Sequence, residues 1–223
     1  MYSDKTTKEL REVLGQYQML TFESQLILNQ ELTTRNLAVD RSDLELAIGD
    51  KLHQIKNLEY LKDFGFNAEF TEDGVIVTRT TKAIIMDVLA IIIGLAVFFI
   101  GVYGIGSLVA MFVNGDDFNV FSLAINFAMA SLVFNGFKFF NGIKRLIDYS
   151  GFRLSNTNGV ITLKKRFDLK LEEIKATPSD LQLEEEEDEM VLRLGEELIL
   201  NSNAENIVQR MTLEELTKVL QKA

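Results

Sequence analysis

Cysteine is absent from all 223 residues, and histidine occurs once, at His53. Without thiols the chain has no disulfide framework, no iron–sulfur ligands and no thiolate zinc site. A lone histidine has no companion ligands for a metal, so a structural role on a helix is expected of it. Basic charge is also short: 23 Lys and Arg stand against 33 Asp and Glu, a net charge of −10. Phosphate backbones are bound by basic surfaces, so no nucleic acid is expected as a partner. Broad adhesion to anionic lipid is disfavoured for the same reason. There is no GxSxG elbow, no phosphate loop and no histidine pair, which makes an enzyme the least favoured class, with an unfamiliar one built on carboxylates left open. No catalytic, cofactor-binding or metal-binding residue is assigned, and no cofactor is expected. The first thirty residues lack a basic start, an apolar run and a small-residue cleavage site, so no secretory signal is expected and the N-terminus stays where it was made.

Charge is missing altogether from two stretches in the middle. Residues 88–115 and 118–137 carry none, whereas residues 1–82 hold 10 Lys/Arg and 14 Asp/Glu, and residues 151–223 hold 10 and 15. A hydrocarbon core about 30 Å thick takes roughly 20 apolar residues of helix. Both runs meet that length, so a transmembrane hairpin is expected, with a first span at 83–113, a turn at 114–117, and a second span with its cytoplasmic extension at 118–149. Asp116 and Asp117 stop the first span and mark that turn. Arg79 and Lys82 precede the first span, Lys138, Lys144 and Arg145 follow the second, and the turn has no basic residue. Positive charge stays on the cytoplasmic side. Both termini are therefore expected in the cytoplasm, with two passes through a bacterial inner membrane.

Small residues recur at helical spacing on the first span, at Ala90, Gly94, Gly101 and Gly104, and Ser122, Asn126 and Ala130 lie four apart on the second. Such stripes let helices approach closely and are natural partners for each other. Asn126 and Asn135 are amides within or near the bilayer, where a hydrogen-bond partner is needed. Packing in the hairpin or a homo-oligomer supplies one, and a substrate path or a foreign subunit is the alternative. GVYGIG, at residues 101–106, lies inside the first run with no preceding strand, so it does not read as a phosphate loop. Asp87, at the cytoplasmic end of its span, is expected at headgroup level rather than in a proton relay.

The flanks read as folded. Residues 1–63 are expected as amphipathic helices. Thr6 and Glu9 have capping-box spacing, as do Ser42 and Glu45, and Leu44, Ile48, Leu52, Ile55, Leu58 and Leu61 form a stripe along the second segment. Residues 64–82 change period, and FGFNAEF, TEDG and VIVTRT predict a β-hairpin leading to the membrane. GFRLSNTNGVITLKK repeats that plan just after the second span, with a turn at Asn158-Gly159; the echo is either shared hairpin chemistry or a sign that the two hairpins join one sheet. RFDLKLEEI, DLQLEE, MVLRLGE and ELILNS predict further strands, and Glu184 to Glu189 a solvated acidic tip. Thr212 and Glu215 fit a capping box for a last helix, with Met211 and Leu216 as its staple. The fold class is thus a membrane protein of α+β type: a transmembrane hairpin, an N-terminal helical segment, and a small antiparallel β domain at 150–223 closed by a C-terminal helix.

A membrane hairpin followed by an aromatic-led strand, an NG turn, LKLEEIK, further strands and a terminal helix resembles the bacterial pleckstrin-homology-like domains fused to paired membrane helices. The resemblance covers roughly residues 138–223 and is one of pattern. It implies a protein-contact or membrane-apposed scaffold more than an enzyme. Expected partners are the lipid bilayer and other membrane-protein subunits, or further copies of the chain. The leading functional expectation is a scaffold or accessory subunit of a membrane complex. Transport by an oligomer, with Asn126 and Asn135 lining a path, is one alternative. The other is lipid sensing through the basic Lys164, Lys165 and Arg166.

Overall fold

Thr6 starts the first helix by a reciprocal exchange. In the computed structural model, which describes residues 1–72, 74–114, 119–167 and 170–222, the Glu9 backbone N–H donates to Thr6 Oγ1 and the Thr6 N–H donates to the Glu9 carboxylate at 2.7 Å. Helix α1 (Thr7–Leu14) follows, then α2 (Phe22–Thr34), capped by Thr21 on the Ser24 N–H, and α3 (Ser42–Lys56). Leu10, Leu28, Leu32 and Leu44 lie wholly inside the cluster that these helices enclose.

The expected capping box at Ser42 and Glu45 does not form. Arg41 occupies the cap, and Asp40, one residue earlier, accepts from both the Ser42 N–H and the Ser42 hydroxyl, so a short Asx-type turn takes the place of the box. The leucine stripe is also interrupted. After Lys56 the chain turns through Leu58 at φ 58° and goes on as a 3-10 turn over Glu59–Phe64. A left-handed leucine costs about 1–2 kcal/mol. Burial of the Leu58 and Leu61 side chains, 2% and 0% exposed, offsets it at about 1.5–3 kcal/mol each. Leu52, on the same expected stripe, is exposed.

Five strands form one sheet in the order β1 (Phe66–Thr71), β2 (Gly74–Arg79), β3 (Arg153–Thr157), β4 (Val160–Phe167), β5 (Lys170–Ala176). The two hairpins are therefore neighbours in a single sheet. Asn158 and Gly159 take φ 54° and 75° in the two-residue connection of β3 to β4, the left-handed pair that a tight hairpin demands and that Asn-Gly tolerates. A second antiparallel sheet contains β6 (Leu181–Glu186), β7 (Glu189–Leu194) and β8 (Glu197–Asn203), with Leu181 opposite Leu194 and Leu183 opposite Leu192.

The strands expected to form one sheet over 150–223 are thus shared between two. RFDLKLEEI divides between β4 and β5, and its residues 168–169 lie outside the described residues. The acidic run is mostly strand: Glu184 to Glu186 end β6, Glu189 begins β7, and only Glu187 and Asp188 make the turn. Glu186 faces Glu189 in register, and Arg193 answers that repulsion with a 2.9 Å contact to Glu186.

Helix α7 (Ile207–Lys222) begins five residues before the expected Thr212 cap. Asn206 accepts from the Gln209 N–H at its start, and the Thr212 hydroxyl bonds back to the Val208 carbonyl, so Thr212 is an interior residue and no box or staple forms there. Leu213, Leu216 and Leu220 are fully buried along α7.

Between β2 and β3 in sequence lie α4 (Thr81–Asn114), α5 (Val120–Gly136) and α6 (Phe139–Asp148). Two helical segments, Thr81–Val113 and Val120–Asp148, are long and apolar enough to cross a membrane, and only 6% of the most apolar stretch of either is buried. The second run is two helices. Hydrogen bonds three residues apart, Lys138 N to Asn135 O and Phe140 N to Phe137 O, tighten the backbone where α5 gives way to α6. Of the turn expected at 114–117, Asn114 still belongs to α4, and residues 115–117, with Asp116 and Asp117, lie outside the described residues.

The chain divides into two compact units. One comprises residues 1–77, 155–162 and 175–223, the other residues 78–154 and 163–174. In the second, α4 and α5 touch at glycine: a Cβ on Gly101 would lie 2.4 Å from the Val133 backbone N, and one on Gly136 2.5 Å from Phe98 Cα.

Two outcomes are expected. Gly101→Ile forces α4 and α5 apart and costs about 1–3 kcal/mol by overpacking, whereas Gly106→Ala, with nothing within 4 Å, keeps or raises the melting temperature of the detergent-solubilised protein. Acid acts at the caps. Hydrogen bonds from the Thr6 N–H and then its hydroxyl hold the Glu9 carboxyl below the usual carboxylate range, and Thr177 does the same to Asp180. Because the folded values lie below the unfolded ones, the stabilisation is complete at neutral pH and is lost as pH falls through the folded values. Circular-dichroism melts should show a declining midpoint below about pH 4, and Glu9→Gln should make that decline shallower.

Candidate functional site

Asp87 sits two turns into α4, on a segment otherwise rich in Ile, Leu and Met, and it is 4% exposed. A carboxylate buried alone is costly enough to shed its charge or its burial. Two guanidiniums answer it. Arg79, the last residue of β2, donates from Nη2 to Oδ2 at 2.8 Å, and Arg145 on α6 places Nη2 3.1 Å from Oδ1. The Arg79 side chain is 11% exposed and that of Arg145 58%, so the first contact is a buried ion pair and the second is open to solvent.

The surrounding sequence makes this arrangement possible. Tyr149 follows Arg145 by four residues, one helical turn, and the Arg79 guanidinium lies over its ring at 4.9 Å, inside the range of a cation–π contact. Phe152 meets the same ring edge-on at 5.6 Å. Burial raises the Tyr149 hydroxyl above its ordinary value, with the Arg79 charge opposing, so it stays protonated at neutral pH. Gly142, one turn before Arg145, lets α6 close on α4: a Cβ there would lie 3.1 Å from Ile91 Cγ1 and 3.5 Å from the Asp87 carbonyl oxygen. A cavity of about 100 Å³ opens beside the cluster, lined by Arg79, Ile84, Asp87, Arg145, Tyr149 and Ser150 among others.

Two residues singled out for topology, Arg79 and Arg145, thus converge on one carboxylate. Lys82, Lys138 and Lys144 are exposed. Of the small residues, Gly94 packs on Phe139 of α6, Gly101 on Val133, and Gly104 on Met129 and Ala130, while Ala90 is exposed. The α4 stripe is therefore divided between α5 and α6. Ser122 and Asn126 are half-buried and Asn135 is exposed, and neither amide side chain has a hydrogen-bond partner among the described residues. His53 is exposed and shares a 3.1 Å contact with Asn57. Lys164 pairs with Glu173 at 2.9 Å, and Arg166 Nε donates to the Ser150 carbonyl at 3.3 Å. Gly136 and Gly142 escaped the small-residue pattern because they lie at or beyond the end of the uncharged run. The Asp87 cluster left a clearer signal: one acid inside an apolar segment whose two flanks each bring an arginine.

Chemically the cluster holds charge. It has no nucleophile paired with a base, and the described residues contain no group of three His, Cys, Asp or Glu that could hold a metal ion. Comparison with family models, with curated proteins and with solved structures finds no match to this chain.

Removing Arg79 strands a buried carboxylate, whereas removing Arg145 exposes one that already has a partner. Arg79→Gln should therefore destabilise by about 3–5 kcal/mol and Arg145→Gln by less than about 1 kcal/mol. Denaturant unfolding in detergent, followed by tyrosine fluorescence, measures both.

Proposed function

We propose that this protein is an integral membrane protein without catalytic activity, acting as a scaffold or accessory subunit through the folded segments on either side of its helical hairpin. The observation that carries this reading is the outward surface of α4 and α5. Ile92, Ile93, Phe99, Val109, Phe121, Phe127 and Phe134 are each more than half exposed. Leaving such side chains in water forgoes about 1.5–3 kcal/mol apiece, and a helix from the core of a soluble protein would bury them. Lipid satisfies this surface.

The 34 residues of α4 reach about 51 Å at 1.5 Å each, some 20 Å more than the hydrocarbon needs. In this reading the surplus leaves room for Asp87 and its arginines at one interface. Lys and Arg at both hairpin ends, and none at 114–117, orient both termini to the cytoplasm of a bacterial inner membrane. Asn126 and Asn135 support association with a second membrane subunit or a second copy, because an amide in hydrocarbon is stabilised by a partner and none lies within the chain's described residues. The pleckstrin-homology-like resemblance, with strands in two sheets and a terminal helix, agrees with a contact role for the cytoplasmic part.

A single experiment tests anchoring, orientation and assembly together. The chain has no cysteine, so one placed at Asn114 is a unique label. The full-length protein should resist alkaline extraction from membranes, react at that position only from outside, and cross-link to a stoichiometric subunit identified by mass spectrometry. Release by alkali sinks the membrane reading, labelling from the cytoplasm sinks the orientation, and a strictly monomeric product sinks the scaffold.

A further inference from the structure

We propose that the cavity beside Asp87 binds the phosphodiester of an anionic lipid headgroup; this rests on the membrane reading above. Two guanidiniums line it, and a third lies behind its wall. Arg79 and Arg145 share the one Asp87 carboxylate, and Arg166 reaches the carbonyl of Ser150, a residue of the cavity wall. Asp148, whose charge also acts on Tyr149, is a second carboxylate of the neighbourhood. Arg145, more than half exposed, has donors to spare, since a guanidinium carries five and its planar fork matches two oxygens of a phosphate.

The volume, about 100 Å³, is that of roughly three waters at about 30 Å³ each, a size for a headgroup oxyanion rather than a whole metabolite. The wall decides between a lipid and a free anion. Ile84 and Leu146 line the cavity, and Ile84, 41% exposed, belongs to the same apolar face as Ile85 and Val88. A phosphate seated on the arginines would have its glycerol and acyl chains continue over that face.

The carboxylate competes with the ligand, which gives the two variants opposite signs. The full chain in a neutral detergent is titrated with short-chain phosphatidylglycerol, short-chain phosphatidylcholine and inorganic phosphate, and followed by native mass spectrometry. Phosphatidylglycerol should bind at least about tenfold more tightly than phosphatidylcholine. Arg145→Gln should lose about tenfold, the worth of one charge-assisted hydrogen bond, and Arg145→Lys should lose less. Asp87→Asn should tighten binding, and Lys164→Gln, whose side chain pairs with Glu173, should leave it unchanged. Equal binding of the two lipids, or indifference to Arg145→Gln, overturns the site. Inorganic phosphate binding as tightly as phosphatidylglycerol, with the same variant pattern, overturns the lipid assignment. Should Asp87→Asn fail to fold, the contrast of Gln with Lys at position 145 still decides. A failure of the membrane reading is recognised separately, as a chain that stays soluble without detergent.

Discussion

Everything between Arg79 and Arg153 is constrained by the pairing of β2 with β3. Adjacent strands stand about 4.8 Å apart, so an excursion of more than seventy residues must leave the sheet and return within one strand spacing. A single long helix cannot do that. An antiparallel pair can, and its inner face then has to be thin enough for the backbones to run side by side, which is why Gly101, Gly104 and Gly136 sit where Val133, Ala130 and Phe98 approach. The Asp87 cluster closes the same excursion at its open end: Arg79 is the last residue before it and Arg145 lies on its returning helix.

Much of this architecture is legible in the residues. The uncharged runs mark the two apolar helices, Thr6 with Glu9 marks the first helix start, and Asn158-Gly159 marks a hairpin whose left-handed backbone is observed. These signals are local, carried by a spacing of three or by two adjacent residues. The similar plans of the two hairpins leave open whether they share a sheet or only a turn chemistry, and it is the strand order that joins them.

The failures are equally physical. Ser42 and Thr212 satisfy a capping pattern, but Asp40 accepts from the Ser42 N–H itself and Asn206 opens its helix upstream at the Gln209 N–H, and spacing alone does not rank competitors. Leu58 sits in a register that continues a helix, yet leaving that register buries both it and Leu61, a tertiary gain invisible to periodicity. The split of the C-terminal strands between two sheets depends on partners far away in sequence. So does the burial of Asp87, whose neighbours along the chain gave no measure of how closely α6 packs against α4.

The placement of the apolar helices between two adjacent strands also sets an order in time. As the chain is synthesised from its N-terminus, β1 and β2 are complete before α4, α5 and α6, and their next neighbour β3 does not exist until residue 153 has been made. Through that interval the β2 edge that β3 will fill is unpaired, and a two-stranded ribbon is of marginal stability in water. Its third strand arrives only after the hairpin has been made. The fold thus makes completion of the sheet the chain's own record that the apolar segment has gone out and come back.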